Sequence, residues 1–188
     1  MNGITVAIPS IPPRVCGGLL QSATESVRAQ TLLPSGGISV SVDVDKAGAA
    51  VTRQRALDGV KTEWVAFLDD DDLFYPNHLE TLLGLASDTG ADYLYSWFDG
   101  NNPFPQHRGK EFDPDNPHHT TMTVMVRTEL AKQVGFATDH PEGWTLPQED
   151  WRFTLGCIEA GAKFAGTGDV TWHYRVHRGN TSGVPERW

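Results

Sequence analysis

Cysteine is scarce in this chain. Cys16 and Cys157 are the only two, far apart and in no metal-ligand spacing. That argues for free thiols in a reducing compartment, with room for one disulfide at most. Long apolar runs are missing: none approaches membrane-spanning length, and the opening Met-Asn-Gly-Ile-Thr-Val leads into a strand without a signal-peptide pattern. A soluble, cytoplasmic protein with no membrane partner is expected. Basic excess is also missing, with 15 Lys and Arg against 24 Asp and Glu, for a net charge of −9. This excludes a general nucleic-acid-coating protein, but not an enzyme that handles one nucleotide in a local basic cleft. There are no internal repeats, and 188 residues suit one α/β domain with a proper core.

What the chain does have is Trp64-Val65-Ala66-Phe67-Leu68 running straight into Asp69-Asp70-Asp71-Asp72. A short apolar run rich in aromatic and β-branched residues reads as a strand buried on both faces. Four carboxylates at its end sit where open α/β sheets place their ligands. Like charges side by side repel, and they become favourable when a divalent cation carrying phosphate oxygens neutralises them. A solvated acidic turn is the plain alternative, but such turns seldom join an apolar strand to a helix opened by proline, here Pro76. A metal site is the expectation. In an extended segment Asp69 and Asp71 would share one side, with Asp70 facing away as the weakest candidate.

The rest of the chain frames that stretch. Strands are predicted at Ile4 to Ile8, Ile38 to Val44 and Tyr93 to Phe98. Helices carry Leu20, Ala23 and Val27, then Ala50, Leu57 and Val60, then Leu79, Leu82, Leu83 and Ala86. This β-α-β-α-β-α-β order asks for a parallel sheet with right-handed crossovers. From Asp99 to His119 the pattern dissolves, as in a functional loop or lid, with Arg108, His118 and His119 placed to close over a ligand. A strand at Met122 to Val126 and a short helix at Thr128 to Val134 follow. After a loop containing Trp144 comes a helix from about Gln148 to Ala160, then strands at Lys163 to Ala165 and Val170 to Tyr174.

Three further groups carry chemistry. Glu149-Asp150 opens a helix after Leu146-Pro147. Acids in a first turn are common for dipole reasons alone, yet a carboxylate kept ionised there also suits a general base. His173, Arg175, His177 and Arg178 cluster after the last strand. Histidine can complete a Mn²⁺ site that carboxylates begin, and arginines can hold a diphosphate, although a solvated basic tail has the same composition. Asp43 and Asp45 end the second strand, beside the first-strand loop Pro9-Ser10, where a base or ribose pocket fits as well as a simple acidic turn does. Trp97 and Trp144 each offer an apolar face, core packing being the default for Trp97.

With these residues laid out, the sequence resembles the family 2 glycosyltransferases of the GT-A fold. Ile4 to Ser10 looks like their opening strand and Ile-Pro-Thr turn. Ser26-Val27-Arg28-Ala29-Gln30-Thr31 is similar to their S-V-x-x-Q-T, and Thr52-Arg53-Gln54 to their Ala-Arg-Asn with Gln54 in place of Asn. Phe67 to Asp72 with Pro76 and Leu79 resembles their DxD segment. Gln148-Glu149-Asp150-Trp151 with Glu159-Ala160-Gly161 looks like their E-D-W … E-A-G helix, and His173 to His177 with Asn180 and Ser182 like their closing Y-R-x-H … S segment.

The resemblance implies a single GT-A domain over residues 1–188, Rossmann-like, with a mostly parallel central sheet flanked by helices. Residues 1–98 would form the nucleotide-sugar-binding half. Residues 99–188 would form the acceptor and catalytic half, with a flexible loop at 99–119 and a tail at 175–188. Asp43 or Asp45 would bind the base and Asp69 the ribose or sugar. Pro9, Ser10, Arg14, Arg53, Asp70 and Arg175 would line the donor site. Asp71 and His173 would ligate Mn²⁺ or Mg²⁺, with Asp72 and His177 as alternates. Asp150 would be the base of an inverting transfer, with Glu149 positioning a sugar. The donor implied is a nucleotide-sugar, UDP-sugar favoured. The acceptor is open among a saccharide, a protein, a metabolite and a hydroxylated DNA base. A sugar-phosphate nucleotidyltransferase ranks lower, because it would want a Gly-rich basic loop where this chain has Ile8-Pro9-Ser10-Ile11-Pro12-Pro13-Arg14. A silent sugar-binding module would fit a broken acid cluster, and this one is intact.

Overall fold

A computed structural model describes residues 3–100, 105–118, 120–138 and 148–177. Seven strands form one sheet: β1 (Ile4–Ser10), β2 (Ile38–Val42), β3 (Trp64–Phe67), β4 (Leu73–Phe74), β5 (Tyr93–Gly100), β6 (Val124–Arg127) and β7 (Phe164–Tyr174). Among the described residues six α-helices accompany them: α1 (Pro12–Cys16), α2 (Leu19–Arg28), α3 (Ala49–Asp58), α4 (His78–Thr89), α5 (Thr128–Val134) and α6 (Glu149–Glu159). The strand order is β2-β1-β3-β6-β5-β7-β4.

The parallel expectation holds for β2, β1 and β3, and again for β5 with β7. An antiparallel strand sits in the middle of this mostly parallel sheet. β6 lies between β3 and β5 and is antiparallel to both. Val124, Met125 and Val126 are fully buried, and such a run satisfies a central strand of either direction, so periodicity alone could not orient it. Arg127 pins the register by stacking over the Trp64 ring at 4.2 Å and pairing with Glu63.

Two faces of the sheet carry two apolar layers. Val6, Ile8, Trp64, Ala66 and Leu68 pack with α2 and α4 on one side. Ala7, Val65, Phe67, Tyr93 and Val126 pack with α3, α5 and α6 on the other. The strand at 64–67 is therefore buried on both faces, as its composition asks.

Several boundaries differ from expectation. The two late strands are one strand, β7, whose pairing with β5 slips on either side of Trp97. Gly166 permits the close approach there, because a Cβ would sit 2.2 Å from the Tyr95 ring. Helix α4 begins at His78, so Pro76 lies in the preceding turn and not in the helix. The Gln30 amide secures that start from outside: Nε2 donates to Tyr75 O (2.7 Å) and Oε1 accepts from Leu79 N (3.0 Å). Thr31 N donates to Pro76 O (2.8 Å), and Phe74 N donates to Ser26 Oγ (3.1 Å). Ser26, Gln30 and Thr31 thus tie the end of α2 to the segment just after the four acids.

Within the expected lid, His118 is buried and meets the Tyr95 ring edge-on, and Arg108 Nε donates to Gly168 O (2.9 Å). Those two side chains are held along β5 and β7. His119, Trp144, Arg178, Asn180 and Ser182 lie outside the described residues. Both cysteines are free thiols. Among the described residues no helix is long and apolar enough to cross a membrane.

Candidate functional site

The four acids do not continue β3. Asp72 N donates to Asp69 O (3.1 Å), closing a tight turn, and β4 follows at once. The turn replaces the extended geometry expected from the sequence, so the acids are no longer sorted by a two-residue alternation. Carboxylate oxygens of Asp69, Asp71 and Asp72 gather within 4.8 Å of one another.

Asp70 is nearly inaccessible, and not an outward-facing bystander. Ser10 Oγ donates to its Oδ2 (2.5 Å) and Arg14 Nη1 to its Oδ1 (2.6 Å). Arg14 spans two acids, since Nη2 lies 2.8 Å from Asp71 Oδ2. It arrives there because α1, a five-residue helix opened by two prolines, turns the chain back over the end of β1. Burial pushes the Asp70 and Asp71 carboxyls above the usual range, and Asp69 adds to the effect at Asp71. Asp72 is pushed to about 8 by burial and then by Asp69. Burial opposes the Arg14 charge too, but Asp71 and Asp70 outweigh it and hold the guanidinium firmly protonated.

Residues just after β7 reach the same turn. Arg175 N donates to Asp72 Oδ1 (3.0 Å) and its Nε to the Asp71 carbonyl. Arg175 therefore supports the turn's backbone. His177 Nε2 lies 3.1 Å from Asp71 Oδ2. His173, named first as the metal ligand, is placed elsewhere: its Nδ1 is 2.6 Å from Asp99 Oδ1, and Tyr75 Oη donates to the other oxygen of Asp99 (2.7 Å). The histidine the structure brings to Asp71 is His177, the alternate.

Asp43 sits beside the end of β1, with its N donating to Ser10 O (2.9 Å). Its two carboxylate oxygens accept from Ala47 N (2.8 Å) and Gly48 N (2.9 Å), so it shapes the loop that starts α3. Asp45 is exposed and makes a two-pronged pair with Arg55 (2.7 and 2.8 Å), a hydrogen bond that lowers its pKa. Pro9 lies on the β1–β2 ladder opposite Ser41.

Arg53 connects the acid turn to the start of α6. From α3 its Nη2 donates to Asp69 Oδ1 (2.7 Å), and its Nη1 pairs with Glu149 at the first position of α6. It is almost fully buried; that desolvation opposes its charge, and Asp69, Glu149 and Asp150 more than compensate. Gln148, just before, holds a left-handed backbone (φ 42°) that non-glycine residues seldom adopt. Asp150 Oδ1 accepts from Trp151 N (2.7 Å). Beneath this first turn, Thr154 Oγ1 donates to Asp150 O (3.2 Å) and bonds Tyr93 Oη (3.1 Å), which bonds Thr120 Oγ1 (2.8 Å). Sequence reasoning missed Tyr93, Thr120, Thr154, Tyr75 and Asp99. Tyr93 and Asp99 carry a signal, as polar atoms inside and near the end of the apolar strand β5, whereas Tyr75, Thr120 and Thr154 lie between elements or in α6 and carry no such mark.

Three clustered carboxylates and a nearby imidazole make a hard-oxygen set with one nitrogen. That donor set suits Mn²⁺ or Mg²⁺ and not a thiolate-loving metal. Asp69, Asp71, Asp72 and His177 are the residues that could hold the ion.

The mixed sheet flanked by helices, with the acid turn just after β3, has the GT-A fold of glycosyltransferases. Solved structures share the fold. Staphylococcus aureus TarS residues 1–349 in complex with UDP superimposes with a TM-score of 0.77 at 17% identity, over 93% of this chain and 60% of that one. The same protein with UDP-GlcNAc gives 0.76 at 16%, over 95% and 60%. The mannosyltransferase PcManGT from Pyrobaculum calidifontis, in complex with GDP-Man and Mn²⁺, gives 0.71 at 15%, over 93% and 57%. The chain thus spans less than two thirds of the length of these structures. No curated protein matches it at the sequence level. The family model for glycosyl transferase family 2 matches residues 20–145, and the chain belongs to that family.

Proposed function

We propose that the protein is a divalent-cation-dependent inverting glycosyltransferase that moves a sugar from a nucleotide-sugar to an acceptor hydroxyl. The observation that carries this reading is the convergence of the acid turn at 69–72 with the Glu149–Asp150 helix start through Arg53. Family membership and fold neighbours that hold UDP, UDP-GlcNAc and GDP-Man support it. UDP is the nucleotide we favour.

In this reading Asp69, Asp71 and Asp72, with His177 in preference to His173, hold the cation. The cation, Mn²⁺ or Mg²⁺, supplies Lewis-acid stabilisation of charge on the departing diphosphate. Arg14 stands next to that charge and contributes a second positive group. Asp43, buried beside Ser10, is favoured over Asp45 for the pocket that receives the base, because Asp45 is engaged on the surface by Arg55. Asp150 takes the proton from the acceptor hydroxyl as its oxygen bonds to the anomeric carbon. The bond from that carbon to the diphosphate oxygen breaks, and the nucleoside diphosphate leaves with inversion. Glu149 orients the reacting groups, and Tyr93 and Thr154 keep the first turn of α6 in place.

A panel of UDP- and GDP-sugars tests this, with release of nucleoside diphosphate followed by NMR in the presence of Mn²⁺. Release from one donor, reduced at least about a hundredfold by Asp150→Asn, is the expected result. No release from any donor, or full activity in Asp150→Asn, would overturn it.

A further inference from the structure

Arg53 and Gln54 are consecutive residues of α3, and each reaches across to the acceptor-side half. Arg53 joins Asp69 at the end of β3 to Glu149 at the start of α6, positions 80 residues apart in the chain. Gln54 Oε1 accepts from Phe136 N (2.9 Å), just beyond α5, while its Nε2 donates to Asp58 Oδ1 (2.7 Å). Asparagine at position 54 would be one methylene shorter and would not span the same gap. Phe136, just after α5, and Glu149, at the start of α6, are therefore held by adjacent side chains of one helix.

Three features make this more than a packing contact. Arg53 is nine-tenths buried, and its Nε has no hydrogen-bond partner among the described residues. Both its Nη atoms are committed to carboxylates, one from each half. And α6 starts from a left-handed non-glycine residue, Gln148, a conformation that persists only where neighbouring contacts enforce it. A guanidinium shared between two carboxylates responds to either one. When Asp69 turns toward a cation or a sugar, Arg53 loses half of its anchorage and its hold on Glu149 changes.

We propose that Arg53 is a positioning residue that couples the state of Asp69, on the donor side, to the placement of Glu149 and Asp150 on the acceptor side. The proposal rests on the functional reading above for its catalytic meaning, but the coupling itself can be measured without any ligand. Lysine cannot substitute, because a single ammonium group cannot bridge two carboxylates with the fixed fork of a guanidinium.

The test is a double-mutant cycle read by hydrogen exchange at the amides of Trp151 to Thr154 in the full chain. Asp69→Asn is expected to speed exchange there at least about threefold in the wild-type background, and to add nothing measurable in an Arg53→Lys background. Glu149→Gln, which leaves Arg53 and Asp69 paired, breaks the link from the other side and is expected to abolish the response equally. It also serves if Arg53→Lys folds poorly. An equal response in all backgrounds, or none in the wild type, would overturn the proposal. In turnover, Arg53→Lys should lower kcat by a larger factor than it raises the donor KM; the reverse split would assign Arg53 to donor binding alone. A wild-type protein that binds no nucleoside diphosphate would reject the functional reading and leave the exchange cycle to decide the coupling.

Discussion

Asp72 gives the account its sharpest quantitative consequence. Its carboxyl moves from an ordinary 3.8 to about 8 in the fold, through burial and the neighbouring Asp69. Between these values the unfolded chain has released the proton and the folded chain retains it. Folding then binds protons, so stability falls as pH rises from about 4 to about 8. From pH 5 to pH 7.5 the loss assignable to this group is about 3 kcal/mol in metal-free protein. For a chain of this length that corresponds to roughly 8 °C in Tm. Asp72→Asn removes the titration while keeping an acceptor for Arg175 N. The variant should therefore gain about 3 kcal/mol relative to wild type on going from pH 5 to pH 7.5 in EDTA. Adding Mn²⁺ at pH 7.5 should reverse the order, stabilising wild type and not the variant. Denaturant titrations at the two pH values, with and without Mn²⁺, measure both effects. A wild-type minus variant difference that is independent of pH, or a variant that Mn²⁺ stabilises as much as wild type, would rule out a buried, protonated Asp72 at the cation site.

Three other substitutions probe how the site is held. Arg14→Met leaves Asp70 and Asp71 without their shared counter-charge and should cost about 3–5 kcal/mol by urea denaturation, with partial recovery as pH falls and the acids, already raised by burial, protonate. Gln30→Ala removes two buried hydrogen bonds at the entry to α4 and should cost about 2 kcal/mol, seen as faster amide exchange at Leu79. Gly166→Ala drives a methyl group into the Tyr95 ring and should lower stability by about 1–3 kcal/mol, with β5 and β7 shifting apart.

Much of this was legible in the amino-acid order, and the rest was hidden for identifiable reasons. The Trp64–Leu68 run announced a doubly buried strand because both sheet faces demand apolar side chains. The acids after it announced a charged site at the strand's end. Their arrangement was not legible, since a tight turn follows local hydrogen bonding that four identical residues do not reveal. Asp70 is the instructive case: alternation turned it away, whereas the turn buries it against Ser10 and Arg14, partners 60 and 56 residues distant. The antiparallel insertion of β6 was invisible for a related reason, because a strand apolar on both faces carries no mark of direction. Which histidine lies against Asp71 was not legible either, because His173 is paired with the exposed carboxylate of Asp99 while His177 reaches Asp71. The Ser26–Thr31 segment was readable only as a pattern, and its physical content is the tether of α2 to the turn after the acids.

Isothermal titration calorimetry with UDP and GDP, in Mn²⁺ and then in EDTA, asks whether the acid turn holds a cation and a diphosphate. Wild type, Asp71→Ala and His177→Ala would be run side by side, with His173→Ala for comparison. The account expects one nucleotide to bind only with the metal, binding to be lost in Asp71→Ala and weakened at least about tenfold in His177→Ala, and His173→Ala to fall less than His177→Ala. Binding that survives EDTA, or that is untouched by Asp71→Ala, would contradict the assignment of the acid turn as the cation and diphosphate site.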